Sequence, residues 1–198
     1  LAEYRIQTEP ICDRLPNVPK VNDPVSRAFR TSSDVIRQQL SVGYEKLVLV
    51  SFGGNREQFS NLDFLHDYDE TIFLIAGRGE KLHRQKNVVS LPHNADFYHP
   101  DLIQAADIII GKAGYSTLSE VVLAGKPFAF ISRETNIESA VLADHIHQHI
   151  PSIEITQQEY LNRAWIEKIP EILKLEPTSP SAINGADLIA EYIFDEIL

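Results

Sequence analysis

Five short apolar runs through the middle of the chain constrain its fold more than any other feature. They are Lys46–Val50 (KLVLV), Thr71–Ala76 (TIFLIA), Asn87–Leu91 (NVVSL), Ala106–Ile110 (ADIII) and Pro127–Ser132 (PFAFIS). A continuous apolar run of strand length suits a parallel strand buried on both faces, whereas a strand with one wet face would alternate. Helical stretches lie between them. One runs from the capping chemistry of Ser32-Ser33-Asp34 through Leu40, one from Ser116 to Ala124 stopped by Gly125, and one from Asn136 to about His147. Short apolar strands alternating with helices predict an α/β fold, a doubly wound and mainly parallel sheet of roughly five to six strands. Beyond Ser152–Ile155 the pattern continues as a helix through Tyr160 to Ile169. A last amphipathic helix spans Ala182 to Ile197.

The first 30 residues differ, with prolines at 10, 16, 19 and 24 and no amphipathic period. Such a stretch reads as a linker or a strap over another surface. Residues 1–30 are therefore expected to be an interdomain linker or the tail of a preceding lobe, and residues 31–198 the folded domain. The chain has no methionine, which fits a piece of a longer protein.

Composition removes several function classes. Hydrophobic residues make up 43% of the 198, enough for one domain core. A formal charge of −10 repels polyphosphate backbones and argues against a nucleic-acid partner. A bound phosphate would need a local device such as the N–H groups at a helix start. Cys12 is the only cysteine, so an intrachain disulfide and a cysteine zinc site are excluded, in keeping with a reducing, cytoplasmic setting. No apolar run approaches the roughly 20 residues that cross a bilayer. His145, His147 and His149 are spaced two apart, so on a helix they point in different directions. Neither a metal nor a cofactor is expected.

In doubly wound sheets the ligand crevice lies beyond the carboxyl ends of the strands. Two glycine-bearing loops, Phe52–Asn55 and Gly111–Tyr115, follow expected strands and converge there. The stretch Gly111–Glu120 (GKAGYSTLSE) ends a strand, turns on glycine and opens a helix with hydroxyls. Such a helix start aims free N–H groups and the positive dipole end at an anion. Ser116 and Thr117 add hydroxyl donors, Lys112 adds a charge, and Glu120 is suited to accept from the two hydroxyls of a diol. The bare pattern is equally served by Ser116 as a plain helix cap and Glu120 on a solvated face. The spacing is not that of the ATPase phosphate loop.

Gly114, Thr117 three residues on and Glu120 six residues on resemble the helix-start motif of GT-B glycosyltransferases. The same spacing marks the N-acetylglucosaminyltransferase of peptidoglycan synthesis and the signature box of plant UDP-dependent transferases. Lys112 and Tyr115 depart from the plant box, which has histidine and a Trp-Asn pair. The FGG turn, HPDLI at 99–103, the GK.GY.T.SE stretch and the pair Asn136/Glu138 resemble the glycosyltransferase-like region preceding the kinase of plant arabinokinases, and its microbial relatives. The resemblance implies a Rossmann-like C-terminal lobe that binds a nucleotide-diphosphate sugar such as a UDP-sugar. It assigns Gly53, Gly54, Asn55, Lys112, Gly114, Ser116 and Thr117 to the diphosphate and Glu120 to the ribose. Phe97 goes to the base, and Arg133, Asn136 and Glu138 to the sugar. The acceptor site and general base would belong to a missing N-terminal lobe, so no catalytic residue is assigned and this piece would bind donor without transferring it. Two alternatives stay open. One is a nucleotide-sugar hydrolase or epimerase, for which His93, His99 and Glu138 are the candidate acids and bases. The other is a non-catalytic nucleotide-sugar-binding module. His99, before Pro100, otherwise reads as a turn or cap residue. The two ends of the chain are expected to meet, with part of the apolar stripe Ile183, Leu188, Ile189, Tyr192, Ile193 and Ile197 left open.

Overall fold

Each central strand sends alternate side chains into two different hydrophobic clusters, which is why its sequence reads as a continuous apolar run. The computed structural model describes residues 4–52, 62–133 and 137–196. The strands are β1 (Gln7–Thr8), β2 (Lys20–Val21), β3 (Lys46–Ser51), β4 (Thr71–Ala76), β5 (His83–Gln85), β6 (Val88–Leu91), β7 (Ile108–Lys112), β8 (Phe128–Ile131) and β9 (Ser152–Ile155). The helices are α1 (Ser33–Gln39), α2 (His99–Ala105), α3 (Tyr115–Ala124), α4 (Ser139–His149), α5 (Gln157–Leu161), α6 (Ile169–Ile172) and α7 (Gly185–Glu196), with 3-10 turns at Asp63–Asp67 and Ala164–Lys168. Leu47 and Leu49 of β3 join Ile72 and Leu74 of β4 beneath Ile36, Leu102, Leu118, Val121 and Ile146 of α1 to α4. Val48 and Val50 join Phe73 and Ile75 on the opposite face, under Leu65, Trp165, Ile169 and Ile172. Burial on both faces is the parallel-sheet signature read from the sequence.

The main sheet has seven strands in the order β5-β6-β4-β3-β7-β8-β9, parallel except for β5, which runs antiparallel to β6. The fold is the doubly wound α/β class expected, with β5 as an additional edge strand. All three residues of β5 are exposed, so nothing apolar marked it in the sequence. Strand β7 also runs on through Gly111 and Lys112, which shortens the expected turn to Ala113–Gly114. Gly111 faces Ser51 of β3, and a Cβ there would collide with the Ser51 carbonyl oxygen. Glycine lets these two strands pair at their carboxyl ends.

Residues 4–30 lie against the sheet domain as a strap, with β1 and β2 paired in parallel. Ser26 and Asn184 exchange two hydrogen bonds of 3.0 and 2.9 Å, and the Gly185 N–H donates to the Pro24 carbonyl at 3.1 Å. The two ends of the chain meet here, as expected. Of the apolar stripe, Ile183 and Ile193 are exposed, so part of it stays open. No helix among the described residues is long and apolar enough to cross a membrane.

His145 and His149 are four apart on α4 and stack with ring centroids 3.9 Å apart, which corrects the reading that the three histidines share no face. His145 is 7% exposed, and its Nε2 has no hydrogen-bond partner among the described residues. Burial, helped by neighbouring His149 and opposed by Glu9, lowers its pKa to about 4. The folded chain thus keeps His145 neutral at pH values where the unfolded chain, titrating near 6.5, takes up a proton. Stability is fully present above pH 6.5 and is lost as pH falls towards 4. We expect His145→Leu to retain about 1–2 kcal/mol more of its pH 7 stability at pH 4.5 than the wild-type chain, measured by urea unfolding at both pH values.

Candidate functional site

The chain winds outward from β3 to β4 and β6 in one direction, and from β7 to β8 and β9 in the other. The winding therefore reverses between β3 and β7, where Ser51 pairs with Gly111. Crevices at such a reversal take ligands in doubly wound sheets. A pocket of about 300 Å³ opens on the β3 side of this reversal, over the ends of β3, β4 and β6, lined by Ser51, Gly77, Pro92, Phe97, His99 and Thr117 among others.

Helix α3 begins beside it. Its N-cap, Gly114, has extended backbone (φ −140°) and no side-chain cap. A Cβ built on Gly114 would meet no described residue within 4 Å. The unpaired N–H groups of a first turn and the helix dipole make such a place attractive to an anion. Thr117 faces the pocket, whereas Ser116 is exposed. Gly125 closes the helix at φ 63°. Lys112 ends β7 opposite Ile131 of β8.

Glu120 sits on the inner face of α3, 1% exposed, which rules out the solvated reading. Its Oε1 accepts from Nε and Nη2 of Arg27 at 2.8 and 2.5 Å, and its Oε2 lies 3.1 Å from His99 Nδ1. His99 Nε2 is 3.0 Å from Ser51 Oγ. With Glu120 ionised, Nδ1–H donates to the carboxylate, and Nε2 is then left to accept the Ser51 hydroxyl proton. The network assigns this tautomer. Glu120 does not line the pocket; His99 stands between. The expectation that His99 is only a turn or cap residue is thus too narrow. It is the first residue of α2, and its ring bridges two elements across the pocket wall.

Of the other expected residues, Phe97 lines the pocket, half-buried. Arg133 and Glu138 are exposed and lie just past β8, outside the pocket lining. Gly53, Gly54, Asn55 and Asn136 lie outside the described residues. Sequence reasoning missed Ser51 and Arg27. Ser51 carried a faint signal as the last residue before a glycine turn; Arg27 carried none, since nothing periodic surrounds it.

The strap meets the same helix start through Tyr115. Its hydroxyl donates to the Glu9 carbonyl at 3.0 Å and accepts from the Val25 N–H at 3.2 Å, and Thr8 Oγ1 donates to it at 2.8 Å. Arg30 adds a backbone N–H to buried Asp101 at 2.7 Å, while its guanidinium lies 3.8 Å over the Tyr98 ring. Removing one hydroxyl deprives three strap groups of a partner. Tyr115→Phe is expected to lower stability by about 1–3 kcal/mol and to speed amide exchange in residues 8–25. Denaturant unfolding and hydrogen-exchange mass spectrometry check the two parts.

The chain is similar to known proteins. The model of the glycosyltransferase family 28 C-terminal domain matches residues 32–188. The L-arabinokinase of Arabidopsis thaliana is 27% identical over 170 residues, which is 85% of this chain and 16% of that protein. The glycosyltransferase SnogD from Streptomyces nogalater superposes with a TM-score of 0.52 at 15% identity, over 91% of this chain and 50% of that one. That likeness is one of fold. The family match runs from the start of α1 into α7, past the β3/β7 crevice and the whole of α3, and the chain belongs to the glycosyltransferase family 28 C-terminal domains, a donor-binding type of glycosyltransferase domain.

Proposed function

We propose that the crevice between β3 and β7 holds the nucleoside diphosphate of an activated sugar, a UDP-sugar in the first instance, and presents it to an N-terminal lobe. The observation that carries this reading is the start of α3 at Gly114, where a Cβ would meet no described residue within 4 Å. An uncapped helix start facing a pocket at the winding reversal suits a diphosphate. Thr117, with Ser116 beside it, would donate hydroxyls to the phosphates, and Lys112 and the loop at Gly53, Gly54 and Asn55 would approach them. Phe97 would flank the base, Glu120 would receive the ribose, and Arg133, Asn136 and Glu138 would meet the sugar. During transfer the leaving diphosphate gains negative charge, which the helix start would stabilise. The acceptor and the general base belong, in this reading, to the other lobe. A cytoplasmic setting is part of it, in keeping with the single cysteine.

Calorimetry with UDP, GDP, ADP and dTDP tests the proposal. Gly114→Ala separates function from architecture, because φ −140° suits alanine and the methyl group would meet no described residue within 4 Å. The expected result is an unchanged melting temperature with nucleotide affinity reduced about tenfold or more, since the methyl group occupies the approach to the helix N–H groups. Equal affinity in both proteins would remove the diphosphate from this helix start.

A second reading, cleavage or epimerisation on the same scaffold, draws on His99, held by buried Glu120 at the pocket wall. The donor-lobe reading expects no sugar release when UDP-glucose or UDP-N-acetylglucosamine is incubated with this chain alone. Turnover abolished by His99→Gln would shift the assignment to this second reading.

A further inference from the structure

Glu120 is 1% exposed, covered on Oε1 by Arg27 and on Oε2 by His99, so a ribose reaches its carboxylate only if one of these partners moves aside. Building on the donor-site reading above, we infer that Arg27 of the strap is that partner, an internal stand-in for the ribose diol that the nucleotide must displace.

The geometry of the contact argues for exchange. Two N–H donors of Arg27, on Nε and Nη2 either side of Cζ, converge on the single oxygen Oε1 at 2.8 and 2.5 Å. A vicinal diol offers two O–H donors on adjacent carbons to the same kind of acceptor. One fork replaces the other, and the buried oxygen keeps its hydrogen bonds throughout, so exchange avoids stranding a desolvated carboxylate.

The two partners of Glu120 are not equally removable. The His99 side chain is 31% exposed, is fixed at the start of α2, and is held on its far side by Ser51. The Arg27 side chain is 52% exposed and approaches from outside the sheet. The backbone around it is pinned, through Ser26 to Asn184 and through Arg30 to Asp101, so the guanidinium swings while the strap stays in place. The Tyr98 ring lies 5.4 Å from the Arg27 guanidinium carbon and already carries the Arg30 guanidinium at 3.8 Å, so the two cations share one aromatic neighbour. In the ligand-free chain Arg27 therefore lowers the fraction of molecules ready to bind a ribonucleotide, and apparent affinity falls by that fraction.

The test titrates the chain and its Arg27→Gln variant with UDP and GDP, each beside its 2′,3′-dideoxy analogue. Arg27→Lys serves as a second variant that keeps the charge and loses the fork, and melting curves confirm folding. The expected result is ribonucleotide binding at least about fivefold tighter in both variants, with no gain for the dideoxy analogues. In nitrogen-edited NMR of the wild-type chain, the Arg27 Nε–H signal is expected to be protected without ligand and lost at saturation with ribonucleotide. Equal or weaker binding in the variants, or an Nε–H signal that survives saturation, overturns the exchange and leaves the donor site standing. Failure of every nucleotide to bind any of the three proteins overturns the donor site, and the exchange with it.

Discussion

A carboxylate with 1% of its surface exposed cannot remain charged without close donors, and the arrangement around this crevice follows from that constraint on Glu120. Helix α3 brings the residue inward, and its donors come from two separate parts of the chain, with a third part behind them. Arg27 arrives from the strap, His99 from the start of α2, and Ser51, behind His99, from the end of β3. One buried charge thus draws together segments some 93 residues apart in sequence. It also sets the tautomer of His99 and the direction in which the Ser51 hydroxyl points.

The sheet supplies the rigid frame that this network needs. Pairing of β3 with β7 places Ser51 against Gly111, and the missing Cβ at Gly111 allows that close approach. The same pairing makes the winding reversal, so the crevice and the tight strand contact share one cause. Packing on both faces, by α1 to α4 on one and by the 3-10 turns and α6 on the other, fixes the strand ends that carry the site. The Pro-rich segment before α1 has the composition of a linker, yet it is fastened to this frame at Tyr115, Glu120, Asp101 and Asn184. Each fastening uses a polar group of the domain. A segment with little core of its own is ordered by hydrogen bonds to its neighbour.

The amino-acid sequence by itself determined the fold class. The runs at Lys46–Val50 and Thr71–Ala76 are strands at very nearly the residues read, and Gly125 stops α3 where its left-handed backbone requires. These features are local: hydrophobic periodicity and glycine stereochemistry act within a few residues and need no knowledge of the rest of the chain. Gly114, Thr117 and Glu120 were legible as a group for the same reason, because their spacing is set by one helix start. Strand β5 was not, since an exposed edge strand of His83, Arg84 and Gln85 buries nothing and leaves no apolar mark. Only the tertiary structure decided what Glu120 touches. Arg27 and His99 meet it across long stretches of chain, through hydrogen bonds that depend on how the strap and α2 dock. No periodicity in the sequence encodes that docking, because it arises when separate elements pack and a buried charge takes the donors that packing brings within reach.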